Sequence, residues 1–190
     1  AAGGEEVAKT TQGLFKYNEN HDERGLFASG EGGGGSGGDD GKVDRHGLNG
    51  VEQDDMWGWS SGVDYNALRT DRAFTRTLEK LPVKRGVVYR GLELRKKDLA
   101  QFQEGKSYKI TKHSSSSSRR GVAGVFAEAS GNRVGVLLEI TQKSGRQIPR
   151  TYYSAGGGAE AEVVLMRGTR YRVATISQRS GRYLIKMKEV

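Results

Sequence analysis

Two glutamates, Glu160 and Glu162, stand on either side of a single alanine just before the apolar run Val163–Met166. If this segment is extended, residues two apart point to the same face, and the two carboxylates lie close together. Carboxylates at such a distance repel each other, and one of them then titrates abnormally. Paired carboxylates suit chemistry at a sugar carbon, where positive oxocarbenium charge develops. On its own the pair is ambiguous, because a solvated acidic loop edge would contain the same residues.

Arg90 interrupts a stretch, Val87–Leu94, that otherwise has the branched and aromatic residues of a buried strand, and Gly91 follows it directly. A buried guanidinium needs an anionic partner, and its planar fork suits a carboxylate or a pair of phosphate oxygens. A glycine at the next position lets a ligand approach the backbone closely. The alternatives are a structural ion pair and an arginine that points outward into solvent.

Five consecutive serines occupy positions 114–118, at the end of a segment, Tyr108–Ser114, whose weak alternation predicts a strand. Such a run cannot fill a core, but its hydroxyls can donate to carboxylates and support an open loop. The alternative is a flexible polar turn, which the run alone favours.

The apolar pattern of residues 60–190 predicts an α+β fold with a few early helices and many short strands. The predicted helices are Ser60–Lys80, Lys97–Glu104 and Arg120–Ala129. The remaining predicted strands are Arg133–Thr141, Glu160–Met166, Tyr171–Ile176 and Tyr183–Val190. The last of these carries alternating lysines, a pattern that suits a sheet edge.

The N-terminal third differs from the rest of the chain in composition and charge. Residues 1–59 are acidic and rich in glycine, with the run EGGGGSGGDD at 31–40, which predicts a flexible arm. Trp57 and Trp59 break this pattern, and we expect them to dock on the folded part, residues 60–190, because exposed indoles are costly. That part is strongly basic within a net charge of +8, which favours either anionic partners or a solvated surface.

Some classes of site are excluded or disfavoured by the sequence. There is no cysteine among the 190 residues, which excludes disulfides and thiolate metal sites. The three histidines, His21, His46 and His113, do not form a ligand cluster, and we expect no metal. No apolar run approaches the roughly 20 residues of a membrane-spanning helix, so we expect no membrane span.

Taken in order, the arginine, the serine run and the Glu-x-Glu pair resemble the Arg-Ser-Glu class of mono-ADP-ribosyltransferases, which includes the cholera-like and C2/iota-like bacterial toxins. The resemblance covers residues 60–190 and includes the closing stretch AEAEVVLMRGTRYRVATI, in which a glycine turn separates two strands. It implies an ADP-ribosyltransferase catalytic domain over these residues, built as a β-sandwich of two packed sheets flanked by N-terminal helices. It also implies that NAD is the substrate.

The same resemblance implies which residues bind NAD. Arg90 would grip the NAD phosphates, and Gly91 would contact nicotinamide through its backbone. Ser115-Ser116-Ser117 matches the family's Ser-Thr-Ser motif, with serine in place of the middle threonine. Ser115 would orient the catalytic glutamate, and both Ser115 and Ser117 would lie against NAD.

On the acceptor side, Glu162 resembles the catalytic glutamate, and Glu160 resembles the upstream glutamate that marks arginine-modifying members. Tyr152 and Tyr153 fall in the glycine-rich stretch at 151–159, which resembles the substrate-recognition loop. The implied reaction transfers ADP-ribose from NAD to an arginine of a target protein.

The biological setting is implied by the resemblance alone. The protein would be a secreted or delivered effector toxin that acts in the cytoplasm of a target cell. Its target would be a cytoskeletal protein or the bacterial cell-division GTPase. An antibacterial effector would need an immunity protein that blocks the active site. Two alternatives stay open: a nucleic-acid acceptor, which the basic body and the tyrosines favour, and a non-enzymatic binding module whose acidic arm engages a basic partner.

Overall fold

The computed structural model describes residues 42–152 and 161–190, which form an α+β fold with a sheet-rich core. The helices are α1 Gly50–Ser61, α2 Tyr65–Leu68, α3 Arg72–Lys80 and α4 Arg120–Val125, with short 3-10 turns at Lys96–Gln101 and Arg150–Tyr152. The strands are β1 Val83–Arg95, β2 Ser107–Lys109, β3 Ser114–Ser117, β4 Arg133–Gln147, β5 Glu162–Leu165, β6 Arg170–Arg179 and β7 Arg182–Glu189. Within these ranges no helix is both long enough and apolar enough to span a membrane.

Helix α1 begins well before the helix start that the sequence predicts at Ser60. Asn49 accepts the backbone N–H of Glu52 at 3.0 Å, and the Glu52 carboxylate accepts the N–H of Asn49 at 3.0 Å. This capping box fixes the first turn. Gly62, with a φ of 82°, ends the helix in the left-handed conformation. The predicted single helix was therefore wrong, because this glycine and the Asp71 cap of α3 divide the segment.

The helical side of the molecule has its own core, which includes residues of the predicted arm. Leu48, Met56 and Trp59 are exposed by 1% or less and pack with Phe74 of α3. Trp57, on the same helix as Trp59, stays 55% exposed. Of the two tryptophans expected to dock, only Trp59 is buried. The folded unit therefore starts before residue 60, and the boundary predicted between 59 and 60 falls inside α1.

The strands of the described ranges belong to one hydrogen-bonded sheet with the order β1-β3-β5-β4-β7-β6-β2. Strand β1 also pairs with β4, from Val83 opposite Arg146 to Arg95 opposite Arg133. The strands β1, β3, β5 and β4 therefore close a ring of pairings, which holds the short strands β3 and β5 between the two long ones. The finer expectation of two packed sheets stays a prediction.

Strand β7 runs parallel to β4 and antiparallel to β6, so it lies inside the sheet. The prediction of an edge strand here was wrong. Lys186 and Lys188 are exposed, whereas Ile185 and Met187 are buried in the sheet core. Lys186 forms an ion pair with Glu139 of the neighbouring strand at 3.3 Å. The alternation of lysines reflects a strand with one solvated face, which an interior strand of an open sheet can also have.

Candidate active site

A cleft lies between strands β1, β3 and β5 and helix α4. Five residues predicted from the sequence line it together: Arg90, Gly91, Ser115, Ser117 and Glu162. The pairing of β3 with both β1 and β5 explains this convergence, because it places segments far apart in the sequence on adjacent strands. The rest of the wall consists of Tyr65, Tyr89, Ser116, Val122, Ala123 and Phe126.

Glu162 is the first residue of β5 and is only 3% exposed. The indole Nε1–H of Trp59 donates to its Oε1 at 3.0 Å, and the Ser115 hydroxyl also hydrogen-bonds the carboxylate. Burial raises the pKa of Glu162, while the hydrogen bonds from Ser115 and Trp59 and the charge of Arg90 act to lower it. The site thus contains a desolvated carboxylate held by directed donors beside a cation.

The guanidinium of Arg90 donates from Nη1 to the backbone carbonyl of Ser115. Across the described ranges, the ion pairs formed by arginine and lysine side chains do not include Arg90. A guanidinium carries five N–H donors, so this hydrogen bond leaves others available to an anionic ligand.

The serines themselves form β3, so the open loop or flexible turn expected at 114–118 was wrong. The strand pairs with β5 in the register that places Ser117 opposite Glu162. The buried hydroxyl of Ser116 donates to the carbonyl of Val163 at 2.5 Å. Small polar residues fit this strand because their hydroxyls satisfy backbone and carboxylate groups that apolar side chains would leave unpaired.

Gly91 has a packing role that the sequence does not indicate. A Cβ at this position would lie 2.0 Å from the carbonyl oxygen of Ala123. Gly135 on β4 is under the same constraint, since its Cβ would lie 2.0 Å from the carbonyl oxygen of Ala127. Helix α4 and the turn after it therefore rest directly on the backbone of β1 and β4. This close approach places Phe126 in the wall of the cleft.

Two of the predicted acceptor-side residues, Glu160 and Tyr153, lie outside the described residues. Ala161 has a φ of 46°, in the left-handed region. Strand β5 therefore begins at Glu162, directly after this residue.

Tyr152 is 7% exposed, and its ring belongs to the helical core rather than to the cleft wall. Its hydroxyl donates to the Asp44 carboxylate, and its carbonyl accepts the hydroxyl of Ser60. Burial, followed by the hydrogen bond to Asp44, raises the pKa of Tyr152. The residue thus anchors the start of the segment that the resemblance implies to be the substrate-recognition loop.

The histidine next to the serine strand has no part in the cleft. His113 is fully buried and lies edge-on to Phe74, with ring centroids 6.0 Å apart. Among the residues that the structure describes, no group of three or more histidines, cysteines or carboxylates is placed to hold a metal ion.

Sequence reasoning missed several residues of the site, above all Trp59 as a hydrogen-bond partner of Glu162. The available signal was the pair of tryptophans in an acidic, glycine-rich segment, which indicated docking but no partner. The aromatic walls Tyr65, Tyr89 and Phe126 were also missed, since nothing in their local pattern separates a cleft wall from a core position.

Comparison with solved structures relates this cleft to known proteins. The Vis toxin, an ADP-ribosyltransferase from Vibrio splendidus solved in complex with agmatine, is 24% identical, with a TM-score of 0.61 over 74% of this chain and 74% of that chain. C3stau2 from S. aureus, solved with NAD, is 15% identical, with a TM-score of 0.56 over 76% of this chain and 89% of that chain. The type III effector XopAI from Xanthomonas axonopodis pv. citri is 17% identical, with a TM-score of 0.57 over 73% and 66% of the two chains. No family model and no curated protein matches the sequence.

The described residues have the fold of bacterial ADP-ribosyltransferase toxins, which confirms the resemblance that the three motifs indicated. At these identities the likeness establishes the fold alone. The chemistry of this chain depends on the residues of its own cleft.

Proposed function

We propose that this chain is an NAD-dependent mono-ADP-ribosyltransferase that modifies an arginine side chain of a target protein. The convergence of Glu162, Ser115 and Arg90 on one cleft carries the proposal. The fold supports it, since similar structures include an ADP-ribosyltransferase and a protein solved with NAD. The agmatine complex of Vis supports an arginine acceptor, because agmatine carries the guanidinium group of arginine.

In the proposed reaction, Arg90 binds the pyrophosphate of NAD by charge-assisted hydrogen bonds, which restricts the motion of the reacting ribose. Gly91 contacts the nicotinamide through its backbone, and Ser117 lies against NAD. Glu162, oriented by Ser115, accepts a hydrogen bond from the 2′-hydroxyl of the nicotinamide ribose. As the bond from ribose C1′ to nicotinamide breaks, the negative charge of this carboxylate stabilises the positive charge on the ribose.

On the acceptor side, Glu160 receives the target guanidinium and takes one of its protons as a guanidinium nitrogen bonds to C1′. This help is needed because the pKa of arginine, above about 12, keeps the side chain protonated in water. Tyr153 contributes to recognition of the target. Tyr152 anchors the same segment through its hydrogen bond to Asp44.

The proposed setting is a secreted effector toxin that acts in the cytoplasm of a target cell. The similarity to XopAI, a type III effector, supports delivery into another cell. A cytoskeletal protein or a bacterial cell-division GTPase as target belongs to the same proposal. So does an immunity protein, which would act by covering Arg90 and Glu162.

Incubation with labelled NAD and agmatine tests the proposal, with nicotinamide release and agmatine labelling measured separately. Glu162→Gln is expected to reduce both rates by about 10²–10³, because it removes a group that stabilises charge in the transition state. Glu160→Gln is expected to suppress transfer and to retain part of the NAD hydrolysis. Glu79→Gln, which changes an exposed glutamate of α3, is the matched control and is expected to keep both activities. Normal transfer by Glu162→Gln would show that the assignment is wrong.

A nucleic-acid acceptor is the second candidate, because like charges lie directly opposite each other on the sheet. Arg172 pairs with Lys188 across β6 and β7, Lys109 pairs with Arg170 across β2 and β6, and all four are exposed. Such pairs are destabilising, and an anionic partner would relieve their repulsion. Label on RNA or DNA, with none on protein or agmatine, would favour this candidate. No consumption of NAD under any condition would favour a non-enzymatic binding module.

A further inference from the structure

Trp59 connects the helical core to the carboxylate on which the proposed reaction depends. It lies on α1, is 1% exposed, and donates from Nε1 to Oε1 of Glu162 at 3.0 Å. The two residues are 103 positions apart in the sequence. Trp59 does not belong to the cleft wall, so the indole reaches Glu162 from the protein interior.

The indole ring of Trp59 packs against two other aromatic rings. It stacks on Phe74, with centroids 5.2 Å apart and planes 27° apart. Tyr65 packs against it with centroids 4.5 Å apart, and Tyr65 also lines the cleft. Because an indole N–H is a donor only, the fixed ring presents one hydrogen to one carboxylate oxygen in a set direction.

A neutral donor of this kind suits a carboxylate that has to stay ionised while buried. Burial raises the pKa of Glu162, whereas the hydrogen bonds from Ser115 and Trp59 and the charge of Arg90 act to lower it. The indole N–H does not ionise in the working pH range. It therefore stabilises the carboxylate without competing for the proton of a substrate hydroxyl.

We propose that Trp59 is a positioning residue for the transfer reaction. Its N–H, together with the hydroxyl of Ser115, fixes the carboxylate of Glu162 in the orientation that faces the reacting ribose. This inference rests on the proposed function and adds to it a residue outside the three sequence motifs. Trp59 acts through Glu162 and does not touch NAD, so its loss is expected to change turnover more than the binding of NAD.

Trp59→Phe tests the proposal, since phenylalanine keeps an aromatic ring against Phe74 and removes the N–H. We expect kcat for nicotinamide release to fall about tenfold to a hundredfold, as for the loss of one hydrogen bond to a charged group. KM for NAD is expected to change by less than about threefold. The acid limb of the pH–rate profile is expected to move to higher pH, because a donor that lowers the pKa of Glu162 is gone. Trp57→Phe, which changes a residue 55% exposed on the same helix, is the control and is expected to keep wild-type values.

Nuclear magnetic resonance tests the hydrogen bond without relying on activity. In the wild-type protein, the indole N–H resonance of Trp59 is expected to shift with pH as Glu162 titrates. In Glu162→Gln that shift is expected to be absent, and the resonance of Trp57 is expected to show no such difference. This measurement decides the question even where Trp59→Phe fails to fold, because it uses the native indole.

Each opposing result has a different meaning. Wild-type rates in a folded Trp59→Phe, with Glu162→Gln inactive, would overturn the positioning role and leave the proposed function intact. An indole resonance of Trp59 that responds identically with and without the Glu162 carboxylate would overturn the hydrogen bond itself. A wild-type protein that consumes no NAD would overturn the proposed function, whatever the resonance shows.

Discussion

His113 precedes the serine strand and is fully buried, with both ring nitrogens engaged. Nδ1 accepts the backbone N–H of Arg167 at 3.2 Å, and Nε2 lies 2.9 Å from the hydroxyl of Thr75. Burial, with the nearby charge of Arg167, lowers the pKa of His113 from 6.5 to about 4. Between these two pH values, the unfolded chain binds a proton that the folded protein does not.

We therefore expect the free energy of unfolding to fall as the pH decreases from 6.5 to about 4, by up to about 3 kcal/mol from His113. Urea unfolding at pH 7.5 and pH 5 measures this loss. His113→Gln does not titrate at this position and is expected to lose less stability on acidification, although it starts from a lower value. Glu162, whose pKa is raised, instead increases the free energy of unfolding as the pH decreases. This contribution is the same in the wild-type protein and in His113→Gln, so comparison of the two cancels it. An equal loss in both proteins would contradict the role of His113.

The charged side chains of the cleft could be predicted because their types are unusual for their positions. An arginine within an apolar strand and a glutamate at the start of one are costly unless they are partnered, and Arg90 and Glu162 do line one cleft. The partner of Glu162 could not be predicted, since Trp59 reaches it across 103 positions of sequence. The packing role of Gly91 could not be predicted either, because a sequence does not show which backbone lies above a glycine.

At the scale of elements, helix α4 has six residues and owes its position to packing on glycines rather than to helix propensity. A Cβ at Gly135 would lie 2.0 Å from the carbonyl of Ala127, so Gly135→Ala is expected to lower the free energy of unfolding by about 1–3 kcal/mol or more. Because this change displaces α4, it is also expected to raise KM for NAD. Urea unfolding and NAD kinetics measure the two effects.

Gly121→Ala is the control for that substitution, since it lies on α4 and its new Cβ meets nothing within 4 Å. It is expected to keep or slightly increase stability, as a glycine-to-alanine change in a helix does. If both variants unfolded at the same urea concentration, close packing on Gly135 would not explain the position of α4.

Elements could be predicted from the sequence wherever one face is apolar, as in β1, β4 and β6. The prediction failed where the buried side chains are polar. Strand β3 consists of serines whose hydroxyls bond to backbone and carboxylate groups. It also failed for α1, because an acidic composition hides the buried Met56 and Trp59. Strand order could not be predicted, since pairings such as that of β4 with β7 depend on the whole sheet.

At the scale of the whole molecule, strand β5 belongs to both cores. Val163 and Leu165 lie in the sheet core, whereas Val164 lies in the helical core with Met56. The apolar run after Glu162 is therefore continuous because the strand is buried on both faces. The helices that pack on β5 hold Glu162 in place, and composition alone could not show that α1 is one of them.

Removal of residues 1–59 is therefore expected to unfold the domain. The truncation deletes Leu48, Met56 and Trp59, each exposed by 1% or less. Loss of a single large buried side chain costs about 2–5 kcal/mol, and a whole domain is stable by only about 5–15 kcal/mol. Circular dichroism is expected to show a cooperative thermal transition for the full chain and none for residues 60–190. Within the full chain, Met56→Ala is expected to lower Tm by about 5–10 °C. Val51→Ala, at a position 70% exposed on the same helix, is expected to leave Tm unchanged. A 60–190 chain that folds and consumes NAD would instead support the boundary that composition predicts.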